Sequence, residues 1–166
     1  VSRDAAYWIE RLGLVEHPEG GWYRETYRSR GSIPAEPAAA GHPAGRSFST
    51  AIYYLLRSDE VSRLHRLRSD EVFHHYRGSG LTLHLFGPGG SCRSLTVGGE
   101  IERGEVLQAV VPAGRWFGAT VETPGSFSLV GCTVAPGFEF ADFALAERES
   151  LLEMFPRHRA LIERLT

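Results

Sequence analysis

Between Ser62 and Gly80 the chain reads S-R-L-H-R-L-R-S-D-E-V-F-H-H-Y-R-G-S-G. Four of its seven histidines lie on or just beyond this stretch: His65, His74, His75 and, a strand's length later, His84. Asp70 and Glu71 stand between the first histidine and the pair. An imidazole beside a carboxylate can move protons near neutral pH or ligate a metal ion.

The elements that must position these groups follow from alternation. A strand over Ser62 to Leu67 puts His65 and Leu67 on one face and Leu64 and Arg66 on the other. Arg68-Ser69-Asp70 is polar and turn-prone. A second strand from Glu71 to Arg77 places Glu71, Phe73 and His75 on one face and Val72, His74 and Tyr76 on the opposite one. Gly78-Ser79-Gly80 then turns the chain into the alternating Leu81 to Phe86. Such a hairpin brings His65 and Glu71 within reach of one ligand.

Length and composition bound what surrounds them. The 166 residues suit a single domain, residues 1–166, large enough for a substantial core. The net charge of −2 is of mixed sign without a basic block, so nucleic acid is not an expected partner. No apolar run approaches membrane-spanning length, and the N-terminus lacks the pattern of a secretory signal, so no membrane association and a cytoplasmic location are expected. Cys92 and Cys132 are too few for a zinc cluster or a disulfide framework and read as small buried residues.

Glycine (19) and proline (9) are spread along the chain between short alternating runs, the pattern of an all-β domain. Strands are expected over 22–30, with Trp22, Arg24 and Thr26 on one face, then over 48–56, 93–97, 106–111, 116–121, 127–134 and 138–145. A first helix capped by Ser2 carries Ala5, Trp8, Ile9 and Leu12 and ends at Gly13. The C-terminal end is helical, with a break at Pro156. Between Gly31 and Arg46 the sequence G-S-I-P-A-E-P-A-A-A-G-H-P-A-G-R has no face to bury, and a mobile loop is expected over 31–46.

The central stretch resembles the first cupin motif, H-x-H-x(3–4)-E-x(6)-G, with His65, Leu67, Glu71 and Gly78 at its marked positions. Pro112 to Phe117 is similar to the second, P-x-G-x-x-H. The blocks G-G-W-Y-R-E-T-Y (20–27), I-Y-Y-L-L (52–56), H-R-L-R-S-D-E (65–71), V-P-A-G-R-W (111–116) and V-A-P-G-F-E-F-A-D-F (134–143) resemble the small uncharacterised family Cupin_5. The resemblance implies a double-stranded β-helix, the jelly-roll cupin barrel, flanked here by short helices at both termini. It also implies a homodimer and kinship with the dTDP-4-keto-6-deoxyhexose 3,5-epimerases. Metal-binding cupins use three histidines and a glutamate; here Leu67 and Phe117 replace two of the histidines, so neither a metal nor another cofactor is expected.

In the epimerases the first cupin histidine removes a proton next to a ketone, a carboxylate orients it and a tyrosine supplies the acid. The resemblance therefore implies His65 as base, Glu71 as its partner, and Tyr53 or Tyr76 as acid, acting on a sugar-like or keto substrate. His75, Phe73, Leu67, Arg24, Trp116 and Phe117 are candidate ligand-binding residues: Arg24 for a phosphate or carboxylate, the aromatics for a ring. Two alternatives stand beside this. One is a non-catalytic pocket that holds a small hydrophobic ligand against Leu67, Phe73 and Phe117. The other is a metal enzyme in which His75 completes an unusual ligand set. His17, His42 and His158 fall in loops or helix ends and are expected to have no role.

Overall fold

Alternating apolar positions dictate strands with one face to bury, and the chain buries them by stacking two antiparallel sheets. The computed structural model describes residues 3–34 and 45–166. After helix α1 (Ala5–Leu12) come β1 (Val15–Glu16), β2 (Trp22–Arg28), β3 (Ser32–Ile33), β4 (Arg46–Ser47), β5 (Thr50–Arg57), β6 (Val61–Arg66), β7 (Asp70–Gly78) and β8 (Leu81–Phe86). Then follow β9 (Cys92–Val97), β10 (Gln108–Val111), β11 (Trp116–Thr120), β12 (Phe127–Ala135), β13 (Ala144–Leu145), α2 (Arg148–Met154) and α3 (Arg159–Arg164). The first sheet runs β1-β2-β5-β12-β7-β10 and the second β13-β6-β11-β8-β9, with β3 and β4 as a separate ribbon.

This order corrects the expected architecture. A jelly-roll barrel, or double-stranded β-helix, was implied, but among the described residues no sheet closes into a barrel. The end strands β1 and β10 do not pair with each other, nor do β13 and β9. Closure needs a continuous ring of ladder hydrogen bonds; here side-chain packing between two open sheets takes its place.

The layers follow from strand phase. Between the sheets lie Tyr54, Leu56, Phe73, Val130 and Cys132 from the first and Leu83, Leu85, Phe117 and Val121 from the second sheet or the residue just after β11. On the outer side of the first sheet, Leu55 and Leu129 pack with Trp8, Ile9 and Leu12 of α1. Asp4, not Ser2, is the N-cap of that helix, accepting from the Tyr7 amide at 3.0 Å. Outside the second sheet, Leu64 and Phe86 meet Leu151, Ile162 and Leu165 from the C-terminal helices.

Local rules place the turns. Gly78 sits at φ 85°, and a Cβ there would come within 2.1 Å of the Phe127 carbonyl, so this motif glycine is required by backbone approach. The Pro112-Ala113-Gly114 turn folds back onto the 67–70 turn through Gly114 N–H to Leu67 O (2.7 Å) and Ala113 N–H to Asp70 Oδ1 (2.8 Å). The expected strand over 138–145 is realised only as β13; Phe140–Asp142 is instead a 3₁₀ turn. Of the expected 31–46 loop, residues 35–44 lie outside the described residues, while its ends pair as Ser32 with Ser47 and Ile33 with Arg46.

That ribbon is fixed by a buried ion pair. The Arg46 guanidinium donates to Asp142 through Nε (2.6 Å) and Nη2 (2.7 Å), with both side chains 5% exposed. Arg68 Nε also lies 3.6 Å from Asp142 Oδ1 but is largely exposed, so removing Arg46 takes from the buried carboxylate its short two-point partner. Arg46→Ala is expected to cost roughly 3 kcal/mol of unfolding free energy in chemical denaturation. Arg159→Ala, which breaks the exposed Arg159–Glu163 pair, should cost at most about 0.5 kcal/mol.

Candidate functional site

The inter-sheet core is not solid throughout. Toward the β1–β2 end it opens into a cavity of about 260 Å³ lined by residues from both sheets and from the 138–143 segment. Its polar floor is assembled by the turn His17-Pro18-Glu19-Gly20-Gly21. Gly20 (φ 106°) and Gly21 (φ 72°) let that turn lie against β6 and β5, where a Cβ would meet the Val61 carbonyl at 2.3 Å and the Tyr54 hydroxyl at 2.6 Å. The Glu19 carbonyl takes the Arg63 amide (2.8 Å), and the Tyr54 hydroxyl donates to the Gly20 carbonyl (2.8 Å).

So held, Glu19 meets His65. One carboxylate oxygen, Oε1, accepts from the Ser62 hydroxyl at 2.8 Å; the other, Oε2, lies 3.1 Å from His65 Nε2. His65 Nδ1 is 2.7 Å from the Arg63 carbonyl. A carbonyl only accepts, so Nδ1 carries a hydrogen, and one further proton bridges Nε2 and the carboxylate. The Phe117 ring backs the imidazole, centroids 4.2 Å apart. His17 Nδ1 accepts the Glu19 amide (3.2 Å), which makes its ring the neutral Nε2–H form. Burial holds the His17 pKa below its ordinary value, against the opposing pull of Glu19.

Glu71 enters from β7, buried between Val111 on β10 and Val134 on β12. Burial, and second the Glu19 carboxylate, push its pKa to about 8, opposed by a hydrogen bond from the Cys132 thiol. At neutral pH Glu71 is therefore a carboxylic acid, a donor aimed at an apolar space. Burial likewise raises Tyr54 and Cys132 well above their ordinary values, keeping phenol and thiol protonated. The walls are Tyr23, Ile52, Leu67, Phe73, Val134, Phe138 and Phe143. At the rim, Arg28 spends four of its five N–H donors on Glu25 (2.9 and 2.8 Å), Glu139 (2.6 Å) and the Phe138 carbonyl (3.0 Å).

The structure thus brings together His65, Glu71, Leu67, Phe73 and Arg24 as cavity-lining residues. Other candidates lie elsewhere. Tyr53 is one residue out of phase: it packs on the α1 side, its ring 6.1 Å from that of Tyr76, and Tyr54 faces the cavity. His75 lies farther along β7, outside the cavity, near Gly99. Trp116 packs among the C-terminal helices under the Arg66 guanidinium, 4.6 Å from its ring centroid. Phe117, 1% exposed, is core behind His65. His74 joins Gln108 and Thr133, and His84 joins Ser94 and Thr120, both away from the cavity. His42 lies outside the described residues.

His17 and Glu19 are the residues sequence reasoning passed over; the doubled glycine after them was the available signal of close backbone approach. The donor set of metal cupins is not reproduced. His65 spends both ring nitrogens on protein partners, Leu67 and Phe117 offer no donor, and among the described residues no three His, Cys, Asp or Glu side chains are placed to hold an ion.

Fold and site together define a two-sheet antiparallel β protein that encloses an acid–base cavity. The chain belongs to the Cupin superfamily family DUF985, whose profile matches residues 6–146. It is 32% identical over 149 residues to an uncharacterised protein of Saccharomyces cerevisiae, a match that covers 84% of this chain and 74% of the yeast protein. A hypothetical protein from Leishmania major has a similar structure, with a TM-score of 0.88 and 36% identity over 98% of each chain. A protein from Shewanella oneidensis is similar at a TM-score of 0.87 and 39% identity, over 99% of this chain and 98% of its own. Among the described residues no helix is long and apolar enough to cross a membrane.

A buried acid that is protonated when folded and ionised when unfolded reverses the usual acid lability. The native state binds the extra proton between the unfolded carboxylate pKa and about 8, so the Glu71 contribution to stability is largest at low pH. It declines as pH rises through that window, by at most about 1.4 kcal/mol per unit. Glu71→Gln is expected to remove this slope in denaturation curves between pH 5 and 8 and to be more stable than the parent at the upper end.

Proposed function

We propose that the protein is a metal-independent isomerase or epimerase that moves a proton next to the carbonyl of a small keto or sugar-like substrate. The hydrogen-bonded His65–Glu19 pair serves as base. The observation that carries this reading is the joint presence, in one cavity, of a proton-sharing imidazole–carboxylate pair and a carboxylic acid, Glu71, kept neutral by burial. Two groups whose surroundings set opposite protonation states are what enolisation needs: one takes the α-proton and the other stabilises the developing enolate. The resemblance of the His65–Glu71 motif to that of the dTDP-sugar epimerases supports the same reading, as an analogy of motif.

Cavity size limits the substrate. At about 260 Å³ it lies just below the range of pockets that enclose drug-sized ligands, roughly 300–1,000 Å³. A second reading, a non-catalytic binder of a hydrophobic compound, is favoured by the aromatic walls of Phe73, Phe138 and Phe143. Exchange of a ketone's α-protons with solvent deuterium separates the two. Under the catalytic reading, His65→Ala lowers that exchange at least about 100-fold while thermal unfolding stays cooperative. Equal exchange in the variant would take His65 out of the mechanism.

A further inference from the structure

We propose that within this pair Glu19, rather than an imidazole nitrogen, receives the proton, that Glu71 gives one to the carbonyl oxygen, and that the substrates are small, uncharged, apolar ketones. This rests on the proton-transfer reading above and specifies its atoms and its substrate class.

The assignment follows from counting lone pairs. His65 has none to offer, because Nδ1 donates to the Arg63 carbonyl and Nε2 is joined to Glu19 by the shared proton. His17 spends its one lone pair on the Glu19 amide. A carboxylate presents about four lone-pair sites, and the Glu19 side chain uses one at Oε1 for Ser62 and one at Oε2 for His65. The Tyr54 hydroxyl also interacts with this carboxylate, and about one site remains for a substrate. Exposure agrees: the Glu19 side chain is 12% accessible, against 3% for His65. Glu71 faces the same space, with the Cys132 thiol and the Glu19 carboxylate as its titratable neighbours.

Charge at the rim sets the substrate class. An anion entering the cavity meets the Glu19 carboxylate at the floor. Arg28 is already neutralised by Glu25 and Glu139. Arg24, at the margin, holds its guanidinium 5.8 Å from the Tyr53 ring, which belongs to the outer face. An uncharged ketone with an apolar body fits the aromatic walls and needs one polar contact, at its oxygen.

The step balances without a further reactant. The α-carbon C–H bond breaks and its proton passes to the Glu19 carboxylate. The freed electron pair becomes the enol double bond, and the carbonyl oxygen takes the Glu71 proton, leaving Glu71 ionised. In the reverse sense Glu19 returns its proton to the same carbon or to the γ-carbon of an unsaturated ketone, and the enol O–H returns its proton to Glu71. The same division of labour, a carboxylate base beside a carboxylic acid kept neutral in an apolar site, serves allylic ketone isomerisation in other folds.

The test is deuterium exchange and double-bond migration in cyclohex-3-en-1-one, followed by proton NMR and by enone absorbance. 3-Oxocyclohexanecarboxylate serves as the anionic counterpart and dihydroxyacetone as the hydroxylated one. The full chain should turn over the uncharged cyclic ketone fastest. Glu19→Gln should lower the rate at least about 100-fold. His65→Gln, which can still donate an N–H toward Glu19, should retain it to within about tenfold. The parent rate should fall as pH rises through about 8, and Glu71→Gln, whose amide can hydrogen-bond the oxygen but cannot give it a proton, should lower the rate at least about 100-fold at every pH. If Glu19→Gln does not fold, the His65→Gln rate and the alkaline limb of the parent's pH profile decide the assignment.

Loss in His65→Gln with retention in Glu19→Gln makes the imidazole the base: the isomerase reading stands and this one falls. Faster exchange with the anionic or hydroxylated probe overturns the substrate class alone. No exchange of any probe by the parent protein removes the isomerase reading, and this inference with it.

Discussion

The tie between the His17–Gly21 turn and strand β6 is the constraint on which the site depends. Through it a segment that precedes β2 in the first sheet is fastened to a strand of the second. The fastening is partly backbone, the Arg63 amide on the Glu19 carbonyl, and partly side chain, with Ser62 and His65 on the Glu19 carboxylate. Without the two glycines the turn could not approach, and without the turn His65 would face an apolar cavity with an unmatched nitrogen. Placing a carboxylate there is costly in isolation and tolerable because hydrogen-bonding partners meet both oxygens. Once present, that charge reaches its neighbours: it helps keep Glu71 and the Tyr54 phenol protonated.

A division of the inter-sheet space follows. Where Leu83, Leu85, Val97 and Val121 fill it, the interior is a packed hydrocarbon core. Where the turn enters, packing gives way to a cavity with a polar floor and aromatic walls. The 138–143 segment forms the near wall, and two carboxylates of unequal burial hold it: Asp142 inside, paired with Arg46 and, at 3.6 Å, with Arg68, and Glu139 at the surface, paired with Arg28. Salt screens the second more than the first, so the two ends of the segment are not equally firm.

Much of this was legible in the sequence because strand alternation is a local property. Period two placed His65 with Leu67 and Glu71 with Phe73, and the structure finds all four lining the cavity. The same rule applied from the wrong starting point selects Tyr53, when the inward residue is Tyr54; an apolar, aromatic run such as I-Y-Y-L-L carries no polar position to fix its phase. Glu19 was hidden for another reason. Its partner lies 46 residues downstream on the other sheet, and no pattern in H-P-E-G-G states which strand the turn will meet. Closure failed similarly: each strand can be read from its neighbours in sequence, but whether the end strands β1 and β10 find each other depends on the twist and tilt of the whole sheet.

Two open sheets have four rims of backbone, and a rim is a template on which another chain can polymerise. Two of them are defended by brevity, since β1 and β13 are each two residues long. Beyond β1, the uncovered run of β2 carries Arg24, Glu25 and Arg28 and a bulge between Glu25 and Tyr27, charge and irregularity that deter a further strand. On β9 the isolated bridge from Val97 to Val106 covers one corner. The β10 rim is the least guarded, a four-residue edge with Val110 half exposed and Leu107 just before it more so. The backbone most open to a further strand is therefore at that margin of the first sheet, at the opposite end of the strand order from the β1–β2 side where the cavity opens.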